Sequence, residues 1–438
     1  MSTIDTLIHA GWIIPVQPDN TCLQAHTLAI QDGKIIDIVK TSEAAQYHAN
    51  TTVDLSQHAL IPGFVNTHTH AAMSLMRGIA DDLALMDWLQ NHIWPAEANW
   101  VDATFVQQGS ELAMAEMIRS GTTCFSDMYF FPNMTAEVAK TVGMRVAIGL
   151  ILIDFPTVWA ATPEIYLEKG LDLHQRYLND PLVSTLFAPH APYTVSDAPL
   201  RQVQALSTEL KIPVHIHLHE TLDEIQQSMQ QYGKRPIARL QDLGLLSPDL
   251  LAVHMCNLSA EDIELITSAG VQVVHCPESN LKLASGFCPV QTLQNAGLNV
   301  ALGTDGAASN NDLDMLSEMR TAALLSKGVA QDPQALPAFE ALKMATLNGA
   351  NALGLGDKIG SLEIGKYADI TAIDLNDVGC QPIYDPISQI VYAAHQHQIS
   401  HVWIAGKPVL QDHQLTTLDT NRIVQQAKHW AEKIQSNP

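Results

Sequence analysis

Basic residues are scarce in this chain: 23 Lys and Arg stand against 46 Asp and Glu, for a formal net charge of −23 over 438 residues. Binding a phosphate backbone requires basic patches, so this balance argues against a nucleic-acid partner. No run of 18 apolar residues free of charge occurs, so we expect no membrane-spanning segment. The first residues, MSTIDTLIHAGWIIPV, lack a basic n-region, so we expect no secretory signal.

Paired cysteine motifs are also missing. The sequence has no C-x-x-C, and its six cysteines are scattered: Cys22, Cys124, Cys256, Cys276, Cys288 and Cys380. In a long chain without a signal, this pattern is typical of buried thiols in a reducing compartment. We therefore expect a cytoplasmic protein.

Eight short apolar runs alternate with longer amphipathic stretches between about residues 60 and 350. The runs are ALIPGFVNTH, TTCFSDM, RVAIGLIL, VSTLFAPH, PVHIHLHE, LLAVHMCN, VQVVHCPE and NVALGTDG. Strands that alternate with helices form parallel βαβ units, and eight such units predict a (β/α)₈ barrel. A doubly wound open sheet is the alternative, but no G-x-G-x-x-G follows the first run.

Both ends of the chain have a β pattern instead. THTLAIQDGKIIDIV alternates apolar and polar residues around Asp32-Gly33, which predicts a hairpin. The tail contains GSLEIGKYADITAIDL and ISHVWIAGKPVL, followed by a predicted helix over 421–436. The predicted fold class is therefore α/β: a (β/α)₈ TIM barrel over 59–360, beside a small β-sandwich domain formed by segments 1–58 and 361–438.

The first apolar run ends in His68 and His70, with one residue between them. On an extended strand, side chains at i and i+2 point the same way, so both imidazoles would face one point. With 19 histidines in 438 residues, about one such pair arises by chance, so further strand ends must support it. Neutral imidazole is a good ligand for zinc and related metals.

Metal-capable side chains do stand at the ends of later predicted strands. In chain order they are His190, Glu220, His254, His275 and Asp305. The carboxyl ends of the strands meet at one face of a (β/α)₈ barrel, so these groups predict a site there. In strand five, His215, His217 and His219 share one face, and spacing alone does not choose among them.

The set PGFVNTHTH, HLHE, VHMC, VVHCPESN and LGTDG resembles the amidohydrolase superfamily, and the similarity spans essentially the whole chain. Within that superfamily, NTHTHAAMSLMRGIADDLALMDWLQNHIWPAE resembles the branch that deaminates 5′-methylthioadenosine and S-adenosylhomocysteine. The resemblance implies a homo-oligomer, a dimer or a tetramer, that acts on a small-molecule nucleoside.

The resemblance also implies one divalent ion per subunit, zinc with Fe²⁺ or Mn²⁺ as alternatives. Its ligands would be His68, His70, His217 and Asp305. The catalytic residues would be Glu220 as proton shuttle, His254 beside the attacking water, and Asp305. Binuclear members of the superfamily carry a carboxylated lysine at the end of strand four, but TLFAPHAPY has no lysine, which favours one ion.

For the substrate, the resemblance implies that Glu97 takes the ribose hydroxyls and that His190 hydrogen-bonds the purine or the ribose. Trp88 is a further predicted substrate-binding residue. Glu220 would pass a proton to N1 of the adenine, so that water adds at C6 and ammonia leaves. The product would be the inosine analogue.

The predicted 5′ pocket has no basic residue, because the segment after strand three reads GLILIDFPTVWAATPEIY. Relatives that favour S-adenosylhomocysteine place arginines there. An apolar wall of Phe155, Val158 and Trp159 suits a methylthio group instead, whereas a buried carboxylate without a partner would cost several kcal/mol. We therefore expect a preference for methylthioadenosine, with S-adenosylhomocysteine and adenosine as further substrates.

Two alternatives remain at the level of the sequence. One is another deaminase or chlorohydrolase on the same scaffold, acting on guanine, cytosine or a triazine. Those substrates lack ribose and would leave Glu97 without a partner. The other is a catalytically silent binding protein, which would be expected to lose Glu220 or a metal ligand.

Overall fold

The computed structural model describes residues 3–436, in which sixteen β-strands and sixteen α-helices occur. The strands are β1 Thr3–Ile13, β2 Leu23–Gln31, β3 Lys34–Lys40, β4 His48–Pro62, β5 Phe64–Thr69, β6 Thr122–Asp127, β7 Arg145–Leu152, β8 Val183–Pro189, β9 Val214–Leu218, β10 Leu250–His254, β11 Gln272–His275, β12 Val300–Leu302, β13 Ile370–Asp374, β14 Ile399–Ile404, β15 Lys407–Gln411 and β16 Gln414–Leu415. They form two eight-stranded sheets.

The helices lie mostly between the strands β5 to β12. They are α1 Leu85–Trp88, α2 Trp94–Trp100, α3 Ala103–Arg119, α4 Pro132–Val142, α5 Pro163–Tyr177, α6 Asp197–Leu210, α7 Leu222–Tyr232, α8 Pro236–Asp242, α9 Ala260–Ala269, α10 Pro277–Lys282, α11 Val290–Asn295, α12 Met315–Ala330, α13 Ala338–Met344, α14 Leu347–Ala352, α15 Pro386–Tyr392 and α16 Thr420–Ser436. A π-helical turn, Leu89–Ile93, joins α1 to α2. Among residues 3–436, no helix combines the length and the apolar character needed to span a bilayer.

The barrel sheet contains β5 to β12 in chain order, and every pairing is parallel. The eight runs predicted as strands are therefore confirmed. The last strand region closes on the first one: the N–H of Asp305 donates to the carbonyl of His68 at 3.0 Å, and the hydroxyl of Thr67 donates to the carbonyl of Leu302 at 2.7 Å. Closure brings the carboxyl ends of all eight strands to one face, where barrel sites form.

The second sheet has the order β16-β15-β14-β13-β4-β1-β2-β3, so the two chain ends share one mixed sheet as predicted. The link between the ends is the antiparallel pair β4–β13, in which Pro62 lies opposite Ile370. Strand β4 thus continues past the predicted boundary at residue 58. The Asp32-Gly33 hairpin is confirmed, with both residues at positive φ, +52° and +75°. The outermost residues of the two predicted segments, 1–2 and 437–438, lie outside the described range.

A buried ion pair joins the barrel to the outer sheet. The guanidinium of Arg145, at the start of β7, donates to both carboxylate oxygens of Asp369 at 3.0 and 3.2 Å. The two side chains are only 5% and 2% exposed. The carbonyl of Asp369 also accepts from the N–H of Gly63, between β4 and β5. These contacts lie at the amino ends of barrel strands, the end of the fold that usually serves stability.

Candidate active site

Four side chains that the sequence singled out converge at the carboxyl end of the barrel. The Nε2 atoms of His68 and His217 are 3.1 Å apart. Asp305 Oδ1 lies 3.4 Å from His68 Nε2 and 3.2 Å from His70 Nε2. The donor atoms of His68, His70 and Asp305 all lie within 4.8 Å of one another, and so do those of His68, His217 and His254.

This donor set fits a divalent cation. Bonds of 2.0–2.1 Å in a tetrahedral arrangement place neighbouring ligand nitrogens roughly 3.3–3.4 Å apart, close to the separations seen here. Three imidazoles and one carboxylate also match the N/O donor chemistry of zinc and of other first-row metals. A cation resolves the short contact between two imidazole nitrogens, which otherwise needs a shared proton.

The second ring nitrogen of each histidine ligand candidate is held by another group. His70 Nδ1 lies 2.6 Å from the carbonyl of Met128, and His217 Nδ1 lies 2.7 Å from the carbonyl of His190. A carbonyl can only accept, so both Nδ1 atoms donate and each Nε2 faces the cluster. Outer contacts of this kind fix the tautomer and the ring orientation of metal ligands.

His68 is oriented by another histidine, since its Nδ1 lies 3.0 Å from Nε2 of His215. Two residues along β9 correspond to about 6.6 Å, so His215 lies deeper in the barrel than His217. His219 instead contacts the carbonyl of Asn257, at 3.0 Å. Position along the barrel axis therefore separates three histidines that alternate onto the same face.

Asp305 follows β12 with φ at +64°, a backbone region that non-glycine residues rarely adopt. Its Oδ2 accepts from the hydroxyls of Ser279 at 2.6 Å and Ser309 at 3.0 Å. These bonds turn Oδ1 toward the histidines. Burial raises the pKa of Asp305, but the facing imidazoles of His68 and His70 outweigh burial and hold that pKa well below its usual range.

The histidine pKa values show where positive charge is favoured. Burial lowers the pKa of His68 to about 4 and that of His217 well below its usual value, so both are neutral at pH 7. Burial also lowers the pKa of His70, but the hydrogen bond and the charge of Asp305 overcome it and raise the pKa to about 9. The cluster thus stabilises one positive charge beside Asp305, as a cation site requires.

Glu220, just after β9, is buried next to this cluster and is 4% exposed. Its N–H donates to the carboxylate of Glu224 at 2.8 Å. Its Oε2 lies 3.7 Å from His254 Nε2. Burial raises the pKa of Glu220, and the charge of His254 opposes that rise. A buried carboxyl group beside the candidate metal cluster is positioned to act as a general acid and base.

His254 ends β10 with φ at +76°, again in the left-handed region. Its Nδ1 lies 2.9 Å from Oδ1 of Asn280, an acceptor, so Nδ1 donates and Nε2 presents a lone pair. Strained backbone at a site residue persists only where the surroundings hold it in place. His254 and Asp305 both meet this description.

A cavity of about 540 Å³ opens above the cluster. Its deep end is lined by the polar groups His70, His217, Glu220, His254 and Asp305. Most of the remaining wall is apolar or aromatic, and none of the described lining residues is Lys or Arg. A largely apolar cavity with a few converging polar groups is typical of small-molecule sites.

The predicted substrate-binding residues Glu97 and His190 both line this cavity. Burial raises the pKa of Glu97 to about 7, and the hydroxyl of Tyr129 opposes that rise. His190 Nδ1 lies 3.0 Å from the hydroxyl of Thr194, which orients the ring. Burial lowers the pKa of His190 to about 3, so the ring is neutral. His275 is buried in β11 and does not line the cavity.

Trp88, Phe155 and Val158 also line the cavity. Trp88 is 6% exposed, whereas Phe155 and Val158 are 40% and 41% exposed at its mouth. The Phe155 ring meets the ring of Trp94 edge to face, with centroids 5.9 Å apart. The apolar wall predicted from the segment after β7 is therefore present at two of its three positions.

The structure corrects the prediction for Trp159, which does not line the cavity. Its ring packs edge to face on Phe131, with centroids 5.0 Å apart, and Lys169 Nζ lies 4.1 Å from its centroid. The N–H of Thr157 donates to the carbonyl of Ala160, which closes a turn here. The ring of Trp159 therefore packs on Phe131 and beside Lys169 instead of lining the cavity.

Sequence reasoning did not single out Tyr129, Tyr193, Asn280 or Ser285. Tyr129 and Tyr193 line the cavity. Each follows the end of a predicted strand by a few residues, and this position in the sequence could have indicated that they lie near the site. Asn280 and Ser285 contact His254 and Glu220 through side-chain hydrogen bonds, so only the folded chain identifies them.

Comparison with known proteins agrees with this geometry. A family model described as the amidohydrolase family matches residues 59–409. The chain belongs to the amidohydrolase family. A protein of Saccharophagus degradans named 5-methylthioadenosine/S-adenosylhomocysteine deaminase is 51% identical over 99% of this chain and 97% of that protein.

Two further amidohydrolase relatives bear on the site. A crystal structure of an adenosine deaminase from Xanthomonas campestris with bound zinc has a TM-score of 0.98 and 50% identity, covering 99% of both chains. A protein of Methanosarcina barkeri named 5′-deoxyadenosine deaminase is 41% identical, covering 98% of both chains. The confirmed (β/α)₈ barrel with its outer sheet is thus shared with a zinc-containing structure.

Proposed function

We propose that this amidohydrolase deaminates a 6-aminopurine nucleoside hydrolytically at C6, with 5′-methylthioadenosine as the preferred substrate. The observation that carries the proposal is one cavity lined by His70, His217 and Asp305 of the candidate metal cluster, by Glu220 and by Glu97. The names of the relatives, deaminases of methylthioadenosine and of 5′-deoxyadenosine, support it.

We propose His68, His70, His217 and Asp305 as the ligands of one divalent ion, with zinc as the first candidate. The bound zinc in the Xanthomonas structure supports this choice, and Fe²⁺ or Mn²⁺ would accept the same donors. When bound, such an ion lowers the pKa of a coordinated water from 15.7 toward roughly 7.

The protein's own groups then manage the protons. Glu220 takes one proton from the attacking water and delivers it to N1 of the purine, while the oxygen of that water bonds to C6. His254 and Asp305 hold the attacking water in place. The second water proton moves to the exocyclic nitrogen, the C6–N bond breaks and ammonia leaves. The product carries a carbonyl at C6 and a proton at N1.

Binding is assigned to the cavity wall. Glu97 accepts from the 2′- and 3′-hydroxyls, since a carboxylate offers two acceptor oxygens. His190 hydrogen-bonds the nucleoside, and Trp88 contacts it through its ring. Phe155 and Val158 face the 5′ substituent. A carboxylate at that position would lack a basic partner among the described lining residues, which disfavours a homocysteinyl group.

The direct test measures the loss of absorbance near the adenine maximum on adding methylthioadenosine to the metal-loaded protein. We expect turnover, its loss with a chelator and its return with zinc. A loaded protein that is inert toward all 6-aminopurine nucleosides would refute the proposal. Faster turnover of guanine, cytosine or a triazine would instead favour the ribose-free alternative.

Two properties remain proposals beside this function. The six cysteines are all free thiols, which supports a reducing compartment such as the cytoplasm. A homo-oligomer, dimer or tetramer, is predicted from the family resemblance, and sedimentation velocity at several concentrations would test it.

A further inference from the structure

Ser285 lies in the loop after α10, and its hydroxyl donates a hydrogen bond of 3.0 Å to Oε1 of Glu220. The two residues are 6% and 4% exposed, so the contact is shielded from water. A hydrogen bond to a carboxylate is charge-assisted and stronger than a neutral one. The proposed mechanism assigns no role to Ser285.

The two carboxylate oxygens of Glu220 consequently differ. Oε1 accepts from Ser285, whereas Oε2 points to His254, with 3.7 Å between Oε2 and Nε2. Because Asn280 holds the proton of His254 on Nδ1, the facing Nε2 carries a lone pair. Oε2 is therefore the oxygen without a fixed hydrogen-bond donor in this contact.

The loop around Ser285 is shaped to present its hydroxyl. Ala284 has φ at +52°, a region that non-glycine residues rarely adopt, and Gly286 has φ at +132°. A Cβ added at Gly286 would lie 3.1 Å from Cβ of Cys256. The N–H of Ser285 donates to the carbonyl of Asn280 at 2.9 Å. The segment that orients His254 through Asn280 thus also orients Glu220 through Ser285.

The backbone of the same two segments is tied together. One side-chain amide, Asn257 Nδ2, donates to the carbonyl of Glu220 at 2.6 Å and to that of Ser285 at 3.0 Å. On the other side, the Glu224 carboxylate accepts from the N–H groups of Glu220 and His219 at 2.8 and 2.9 Å. The backbone is held at both points, so the orientation of the Glu220 carboxylate depends on side-chain contacts such as the one with the Ser285 hydroxyl.

We propose that Ser285 is a positioning residue: its hydroxyl occupies Oε1 of Glu220, so that Oε2 alone carries the proton from the attacking water to N1. The inference rests on the proposed deamination and names the working oxygen of the shuttle. Without the hydroxyl, the carboxylate can rotate and exchange its two oxygens. Proton delivery becomes slower, while nucleoside binding is unchanged.

The test compares Ser285→Ala with Ser228→Ala, because Ser228 is also 6% exposed and its hydroxyl donates to a carbonyl, that of Lys234, at 2.8 Å. For Ser285→Ala we expect kcat to fall roughly 10- to 100-fold, because the variant loses one hydrogen bond to a charged group. KM for methylthioadenosine, the Kd of the inosine product and the metal content should stay within about twofold of wild type. Ser285→Thr keeps the hydroxyl and should lie closer to wild type in kcat.

A crystal structure of Ser285→Ala should show the Glu220 carboxylate rotated or in two conformers, a readout independent of activity. The inference is overturned by an unchanged kcat in Ser285→Ala, by a loss shared with Ser228→Ala, or by a threonine variant no better than the alanine one. Wild-type protein inert toward all 6-aminopurine nucleosides would refute the proposed function itself, which is a separate outcome.

Discussion

The Nε2 atoms of His68 and His217 lie 3.1 Å apart, although 149 positions separate the two residues in the chain. Burial keeps both rings neutral through lowered pKa values, and Asp305 brings a negative charge beside them. Two neutral imidazoles at this distance, next to a carboxylate, are best accommodated around one cation. The first prediction concerns that cation.

His217→Ala should lose most of its bound metal and at least about 100-fold in kcat/KM, because loss of an outer partner alone costs 10–100-fold. Inductively coupled plasma mass spectrometry measures the metal bound per chain, and steady-state kinetics measures kcat/KM. His174→Ala is the matched control, since His174 is a buried histidine that contacts Thr185 and lies on α5. Equal metal content in the two variants would contradict the ligand assignment.

Glu220→Gln should keep its metal and lose kcat by roughly 10²–10⁴-fold, the contribution of a positioned acid–base group. The amide keeps the shape of the side chain but cannot take up the proton of the water. Glu264→Gln, at an exposed position on α9, serves as the control and should be unaffected. Near-normal turnover of Glu220→Gln with full metal content would remove Glu220 from proton transfer.

Nucleoside affinity should depend on pH through Glu97, whose pKa burial raises to about 7. The carboxylate must be ionised to accept from both ribose hydroxyls, and its ionised fraction rises from about a tenth at pH 6 to about nine tenths at pH 8. KM should therefore fall with rising pH, by up to about tenfold.

Measuring KM across this pH window separates Glu97 from other groups. Glu97→Gln should remove the dependence, and the 2′-deoxy analogue should react more poorly and show a weaker dependence. A profile that is the same in wild type and Glu97→Gln would place the titrating group elsewhere.

The 5′ preference can be shifted by adding a charge at the mouth of the cavity. Val158→Arg should raise the ratio of kcat/KM for S-adenosylhomocysteine over methylthioadenosine by roughly 10-fold, the effect of one charge-assisted hydrogen bond to the amino-acid carboxylate. Val424→Arg on α16 is a matched control, since the two valines are 41% and 43% exposed. A wild-type protein that already prefers S-adenosylhomocysteine would show the pocket assignment to be wrong.

The buried ion pair between Arg145 and Asp369, which joins the barrel to the outer sheet, should contribute more to the free energy of unfolding than an exposed ion pair. Asp369→Asn leaves the Arg145 guanidinium buried without its carboxylate, which typically costs ~3–5 kcal/mol. Asp242→Asn breaks an ion pair with Lys234 whose side chains are about half exposed, and should cost under about 1 kcal/mol. Urea unfolding of both variants compares the two, and equal midpoints would contradict the role of the buried pair.

Much of the fold was predictable because strand and helix periods are local. The eight apolar runs became the eight barrel strands, and Asp32-Gly33 became a hairpin. The positions of His68, His70 and Asp305 at strand ends were likewise predictable. The alternation of side chains along a strand and the ends of the strands both depend on neighbouring residues in the sequence. The metal ligands and the roles of these residues stay predictions that experiment must test.

What the sequence by itself determined is the alternation of strands and helices and the chemistry at the strand ends. Only the tertiary structure decided which of His215, His217 and His219 reaches the cluster, that Trp159 turns away from the cavity, and that Ser285 contacts Glu220. The physical reason is that these outcomes depend on depth along the barrel axis and on loop turns. Barrel closure and long-range hydrogen bonds set both, and no local pattern encodes either.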